Sequence, residues 1–199
     1  MLLDTLEKVR AEVLRYAEVA NQAVEPPTVV LSPCGVYRLT LEWYYQADTD
    51  RNWVITKATI CLAATETPIL AFFADHDDAV YAWLYRNNKP YLLLPECQGG
   101  QSIIDLELGE LISYYNHDDP FIWLTIYPSP DGKKIAVDGC YWACPFELVI
   151  YDCTALTTLP YPILHRQMLA PLWPVYRWND EQTLLMVDEK GDEQVVWKE

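Results

Sequence analysis

Imidazole and carboxylate groups sit side by side twice in this chain. His76 is followed by Asp77 and Asp78, and His117 by Asp118 and Asp119; the third and last histidine is His165. Each lies where one β-rich run gives way to the next, so all three are expected in connectors that emerge on one face of the molecule. Imidazole nitrogens and carboxylate oxygens together can ligate a divalent cation. His76, Asp77, His117, Asp118 and His165 are therefore the candidate metal residues. The competing reading is a set of solvated or structural histidines, and it carries more weight.

Other chemistry finds less support. Cys140-Tyr-Trp-Ala-Cys144 is the one close thiol pair; its spacing is not that of a zinc knuckle, and no second pair completes four ligands. There is no Gly-x-Ser-x-Gly elbow for a nucleophile, and no Lys-Ser or Lys-Thr follows Gly99-Gly100 to make a phosphate loop. With 29 acidic residues, no carboxylate pair stands out for glycoside chemistry. The chain reads as a non-enzyme without a cofactor, a metal-dependent enzyme or cation-binding protein being the alternative.

Aromatic rings are the second candidate group. The chain has eight Trp, fourteen Tyr and four Phe, often adjacent. Adjacent side chains on a strand point to opposite faces, so each such run should present at least one ring outward or to a neighbouring sheet. Tyr and Trp are favoured binding anchors, which makes Trp43, Tyr44, Trp142, Trp173 and Trp178 the candidate binding residues. The formal charge of −15 disfavours nucleic acid and anionic membranes as partners and suits another protein, a basic one best. No apolar run is long enough to cross a bilayer, and the first residues lack a basic stretch followed by an apolar one. A cytoplasmic location with reduced cysteines is the expectation.

The elements that would position these residues follow from periodicity. Leu2, Leu6, Val9, Val13, Tyr16, Ala17 and Ala20 recur at helical spacing, and Asn21 with Pro26-Pro27 ends the run. From Thr28 onward come about fifteen short β-rich segments separated by turn residues, an all-β texture. Among them are Thr28–Leu31, Val36–Tyr45, Lys134–Asp138 and, twelfth in order, Thr157–Ile163. Segments repeat: His76-Asp-Asp-Ala-Val-Tyr-Ala-Trp83 with His117-Asp-Asp-Pro-Phe-Ile-Trp123, and Ser32-Pro-Cys-Gly35 with Ser129-Pro-Asp-Gly132. Trp178-Asn-Asp-Glu-Gln-Thr183 looks like a truncated further copy. A period of roughly 40–50 residues with four strands per unit is that of a propeller blade.

The stretch from Ile103-Ile104-Asp105 through His117 and Trp123 to Ser129-Pro-Asp-Gly132 resembles the WD-repeat β-propeller family. In that family a Gly-His dipeptide precedes the first strand of a blade and Trp-Asp closes the third. This chain keeps His76 and His117 without the Gly, and keeps Asp105 and Asp152 after Ile104 and Tyr151. The resemblance implies stacked four-stranded blades and a structural role for the connector histidines.

The expected architecture is thus a short or partial β-propeller of three to four four-stranded blades with one N-terminal α-helix. Its boundaries are 1–25 for the helix and 28–199 for the repeats, the latter divided at about 28–75, 76–116, 117–165 and 171–199. Three full blades and part of a fourth could close as a small ring, stay open with the ends covered by the N-terminal helix, or join a second chain in a homodimer. The expected function is a protein–protein interaction module.

Overall fold

The computed structural model describes residues 2–45, 54–75, 80–116, 118, 120–141, 145–169, 175–188 and 190–199. It opens with helix α1, Leu2–Tyr16. The helix stops short of the expected Asn21 because the Asn21 side-chain amide donates to the Tyr16 carbonyl at 3.0 Å, satisfying a C-terminal acceptor that would otherwise need another turn. A single 3-10 turn, Val19–Asn21, leads on to the strands.

Four antiparallel sheets follow in chain order. Blade 1 holds β1 Thr28–Leu31, β2 Tyr37–Tyr45, β3 Val54–Leu62 and β4 Pro68–Ala74; blade 2 holds β5 Ala82–Arg86, β6 Lys89–Leu93, β7 Gly100–Asp105 and β8 Glu110–Tyr115. Blade 3 holds β9 Ile122–Pro128, β10 Lys134–Cys140, β11 Phe146–Asp152 and β12 Ile163–Met168; among the described residues blade 4 has three strands, β13 Val175–Trp178, β14 Thr183–Val187 and β15 Glu193–Lys198. Every strand pairs with its sequence neighbour, and first strands of successive blades run together, β5 with β9 and β9 with β13. First strands therefore line the inner side of the array.

The repeated turns share one geometry. In Ser32–Gly35 and Ser129–Gly132 the Ser hydroxyl accepts the N–H of Tyr37 or Lys134 at 3.0 Å. In both, the Gly N–H returns to the Ser carbonyl, and the Gly takes a left-handed φ of 71° or 67°. Asp105 and Asp152, at the ends of third strands, each accept a turn N–H, from Glu107 and from Thr154.

One buried cluster fills each junction. Leu39, Leu41 and Ile60 meet Leu92, Leu94 and Ile104 between blades 1 and 2. Leu84 and Ile103 meet Trp123, Ile135 and Val149 between blades 2 and 3. Ala136, Leu148 and Ile150 meet Tyr176 and Leu184 between blades 3 and 4. Among the described residues no cluster joins blade 4 to blade 1.

Sequence alternation explains where the array ends. The residues of β2 and β3 that alternate with the buried Leu39, Leu41, Ala58 and Ile60 are Arg38, Thr40, Glu42, Lys57 and Thr59. They place polar groups and the Lys57–Glu42 ion pair, 3.0 Å, on the outward face of blade 1. A polar outer face is what a terminal repeat needs in order to remain solvated. One apolar corner of that face, Tyr44 and Ile55 with Phe73, is covered by Val13, Val9 and Tyr16 of α1. Among the described residues α1 thus covers part of the outward face of blade 1.

The twelfth expected strand is a correction. Thr157–Ile163 is not extended pairing; β12 runs Ile163–Met168 instead. Pro160 and Pro162 lack the N–H that a ladder needs, so pairing begins after them.

Candidate functional site

The sequence-selected residues divide in three. His76, Asp77, His117, Trp142 and Trp173 lie outside the described residues. Asp118 is exposed, with its N–H on Asn116 Oδ1 at 3.0 Å. His165 is not in a connector; it lies in β12, opposite Ile150, with a ring nitrogen 3.2 Å from Gln167 Oε1. Among the described residues no three His, Cys, Asp or Glu side chains gather in a metal-ligating group.

The described aromatic candidates mostly serve packing. Tyr44 is 5% exposed and meets Phe73 edge-on, 5.4 Å between centroids, beneath α1, so it offers no outward ring. Trp178 donates from its indole to the Tyr127 carbonyl at 2.8 Å and stands edge-on to Trp197 at 5.7 Å, tying blade 4 to blade 3. Trp43 is half-buried on β2.

A concave site that the sequence reading missed lies between blades 2 and 3. It encloses about 300 Å³. Phe121, Trp123, Tyr151 and Tyr161, each under 5% exposed, belong to the interblade core and form its floor. Tyr114 of β8 and Gln101 of β7 stand on the blade 2 side, and Arg166 of β12 on the blade 3 side. The register of each strand supports this. Gln101 pairs with Tyr114, and Tyr151 pairs with Ile163 where a bulge re-aims β12.

The walls are cross-braced. Gln101 Oε1 accepts the Tyr161 N–H at 2.9 Å, and the Tyr161 hydroxyl donates to the Leu156 carbonyl at 2.7 Å. Burial pushes the Tyr161 phenol up, so it remains a donor. The Arg166 guanidinium lies over the Phe121 and Tyr141 rings, 5.9 Å and 5.8 Å from their centroids, with Nε 3.4 Å from Glu147 Oε2. Arg166 is the one charged residue lining the cleft among the described residues. Nearby, Arg86 donates to the carbonyls of Cys153 and Thr154 at 2.9 Å and 2.7 Å and binds the blades further. Such a cleft can seat side chains against aromatic faces beside a fixed positive group. The sequence signal was the density of rings in Tyr114-Tyr115 and Phe121–Trp123.

A wider cleft of about 520 Å³ lies between blades 3 and 4. Lys133 is paired with Asp131 there at 3.3 Å and Lys134 with Glu199 at 2.8 Å. Burial, helped by its neighbour Asp138, pushes the Tyr127 phenol up to about 12 at the same junction.

No protein-family profile matches the chain. Over 127 residues, 61% of this chain and 49% of the relative, it is 27% identical to an uncharacterized protein of Acanthamoeba polyphaga mimivirus. The matched stretch thus spans about half the length of that relative. Among solved structures it is similar to the β-propeller domain of Cps50 (Swd1) from Myceliophteria thermophila. That match has a TM-score of 0.53 and 13% identity, and covers 90% of this chain and 55% of that one. It is also similar to the Dos1 propeller, with a TM-score of 0.51, 7% identity, and coverage of 87% of this chain and 45% of that one. The fold is that of a partial β-propeller. Its four blades superimpose on about half of each of those longer chains.

Proposed function

We propose that this chain is a non-enzymatic protein-interaction module, with the cleft between blades 2 and 3 as its recognition site. One observation carries the reading. Aromatic rings and an arginine, the residue types enriched in binding hot spots, line a preformed concavity braced from both blades. Its size is at the lower end for a ligand site, which suits side chains of a peptide segment rather than a large cofactor. The repeated Ser-Pro-x-Gly turns and the turn-capping Asp105 and Asp152 support reading the blades as degenerate WD-type repeats. The charge of −15 favours partners that are not strongly acidic.

Selection of a displayed random-peptide library on the purified protein tests this. Peptides that bind the wild type and lose affinity for Tyr114→Ala and Arg166→Ala, both proteins remaining folded, are expected. Peptides that bind all three proteins equally would remove the cleft from the account.

A further inference from the structure

The side-chain amides that line the cleft between blades 2 and 3 have donors to spare and no spare acceptor. Gln101 Oε1 is taken by the Tyr161 N–H at 2.9 Å, and Asn116 Oδ1 by the Asp118 N–H at 3.0 Å. A backbone N–H needs an oxygen, so these two contacts fix which end of each amide is which. What remains on each is its NH2 group, which only donates. Among the described residues neither NH2 group finds a partner, nor does the Tyr114 hydroxyl. Arg166 is likewise a donor without acceptors, and no carboxylate lines the cleft among the described residues.

The charges around the cleft do not call for an anion. Arg166 faces Glu147 across 3.4 Å, and Asp118 lies exposed beside Asn116. With those two acids beside one cation, an added carboxylate or phosphate gains no net attraction. The formal charge of −15 opposes it further. The cleft therefore fits an occupant that is uncharged where it makes contact, rich in acceptors and poor in donors. That occupant also needs apolar surface to lie against Tyr114 of blade 2 and the exposed Pro160 and Ile163 of blade 3.

With the cleft taken as the recognition site, we propose that its occupant is a proline-rich segment of a partner protein in the polyproline II conformation. Proline has no N–H, so each one brings a carbonyl acceptor and an apolar ring without a donor that the cleft would leave unpaired. Such a segment is already extended and carries no internal hydrogen bonds, so docking costs it little conformational entropy. Aromatic-lined grooves are where these segments dock. Here Tyr114 forms one wall, Pro160 and Ile163 the other, and the rings of Phe121 and Trp123 lie between them. The NH2 groups of Gln101 and Asn116 are then the donors that receive carbonyls of the segment.

Peptides enriched from a displayed random library on the wild-type protein, resynthesised and titrated by calorimetry, test this. The expected set carries a Pro-x-x-Pro spacing, and alanine at both prolines should weaken binding about tenfold or more. Gln101→Glu and Asn116→Asp keep the oxygen that holds the Tyr161 or Asp118 N–H and remove the donor. Each should weaken the same peptides about fivefold, both proteins remaining folded. Enriched peptides that need Tyr114 but carry no proline, or carry an acidic residue in its place, would overturn the proline assignment and leave the cleft as the site. So would proline peptides that bind Gln101→Glu and Asn116→Asp as they bind the wild type. Peptides indifferent to Tyr114→Ala would overturn both readings.

Discussion

Replacing Arg10 with alanine should loosen α1 from the blades, and the structure sets the scale. Glu96 lies in the loop after β6 and is 4% exposed. Its carboxylate accepts both Arg10 Nε and Nη2, at 2.5 Å and 2.9 Å, and the Ser113 hydroxyl at 2.7 Å. Ser102 completes the chain, donating to Ser113 Oγ while accepting the Glu96 N–H. The bidentate contact with Glu96 holds the Arg10 guanidinium above its ordinary pKa. Removing Arg10 leaves a buried charge with Ser113 as its remaining side-chain donor. A fully buried pair broken in this way costs about 3–5 kcal/mol. The Arg10 side chain is 42% exposed, however, so water can reach the vacated position, and the cost should fall to about 2 kcal/mol. For a chain of this length that is a drop in Tm of about 4–8 °C. Urea unfolding followed by Trp fluorescence would measure it, with Glu96→Gln and the double variant completing a cycle. A coupling energy of about 1 kcal/mol or more is expected. Arg10→Ala within about 0.3 kcal/mol of wild type would refute the idea that this network anchors the helix.

Four further outcomes follow from other parts of the fold. Gly139→Ala should destabilise strongly, since a Cβ there would sit 2.3 Å from the Ile122 carbonyl oxygen and 2.6 Å from Phe121 Cζ, opposite the bulge of β9; a melt indistinguishable from wild type would contradict it. Trp123→Ala, at 1% exposure in the junction of blades 2 and 3, should cost about 3–5 kcal/mol by denaturant unfolding. Asp138 is 8% exposed, with Oδ1 among the buried atoms that find no hydrogen-bond partner and the Tyr127 hydroxyl 3.4 Å from Oδ2. Burial raises its folded-state pKa, so its contribution is fully present below the unfolded value, about 4, and is lost as pH rises through the folded value. Asp138→Asn should therefore gain stability relative to wild type at neutral pH, with the difference shrinking toward pH 4 in pH-dependent melts. Asp152 works in the opposite sense: the Thr154 hydroxyl and N–H depress its pKa, and its contribution is lost on acidification.

Much of the architecture was legible because local signals and tertiary pattern agree. Val36–Tyr45 was legible as a strand from its β-rich run between turn residues, and the structure adds that Leu39 and Leu41 are buried while Arg38, Thr40 and Glu42 alternate with them. The Ser-Pro-x-Gly repeats gave the turn between first and second strands, and the structure reproduces its hydrogen bonds in blades 1 and 3. The failures have physical causes too. An outermost strand is solvated on one side and at its edge, so Ile163-Leu-His-Arg-Gln-Met168 lacks a run of apolar residues and read as a connector; His165 was misplaced with it. The cleft was missed because its floor residues, Trp123 and Tyr151, look like any core aromatics, so the ring density around Tyr114-Tyr115 and Phe121–Trp123 did not by itself mark a concavity. Its shape comes from the packing of two blades, and Gln101 and Tyr161, 60 positions apart, meet only there. Tyr44 looked like one ring too many beside Trp43 until α1 supplied a surface for it.

The most direct test of the interaction reading is an NMR titration of the folded protein with a peptide enriched on it. The account predicts that shifts concentrate on the indole of Trp123, the Tyr114 ring and the Arg166 side chain, and that Tyr114→Ala weakens the same binding. Shifts confined to other surfaces, with affinity unchanged in Tyr114→Ala, would contradict it.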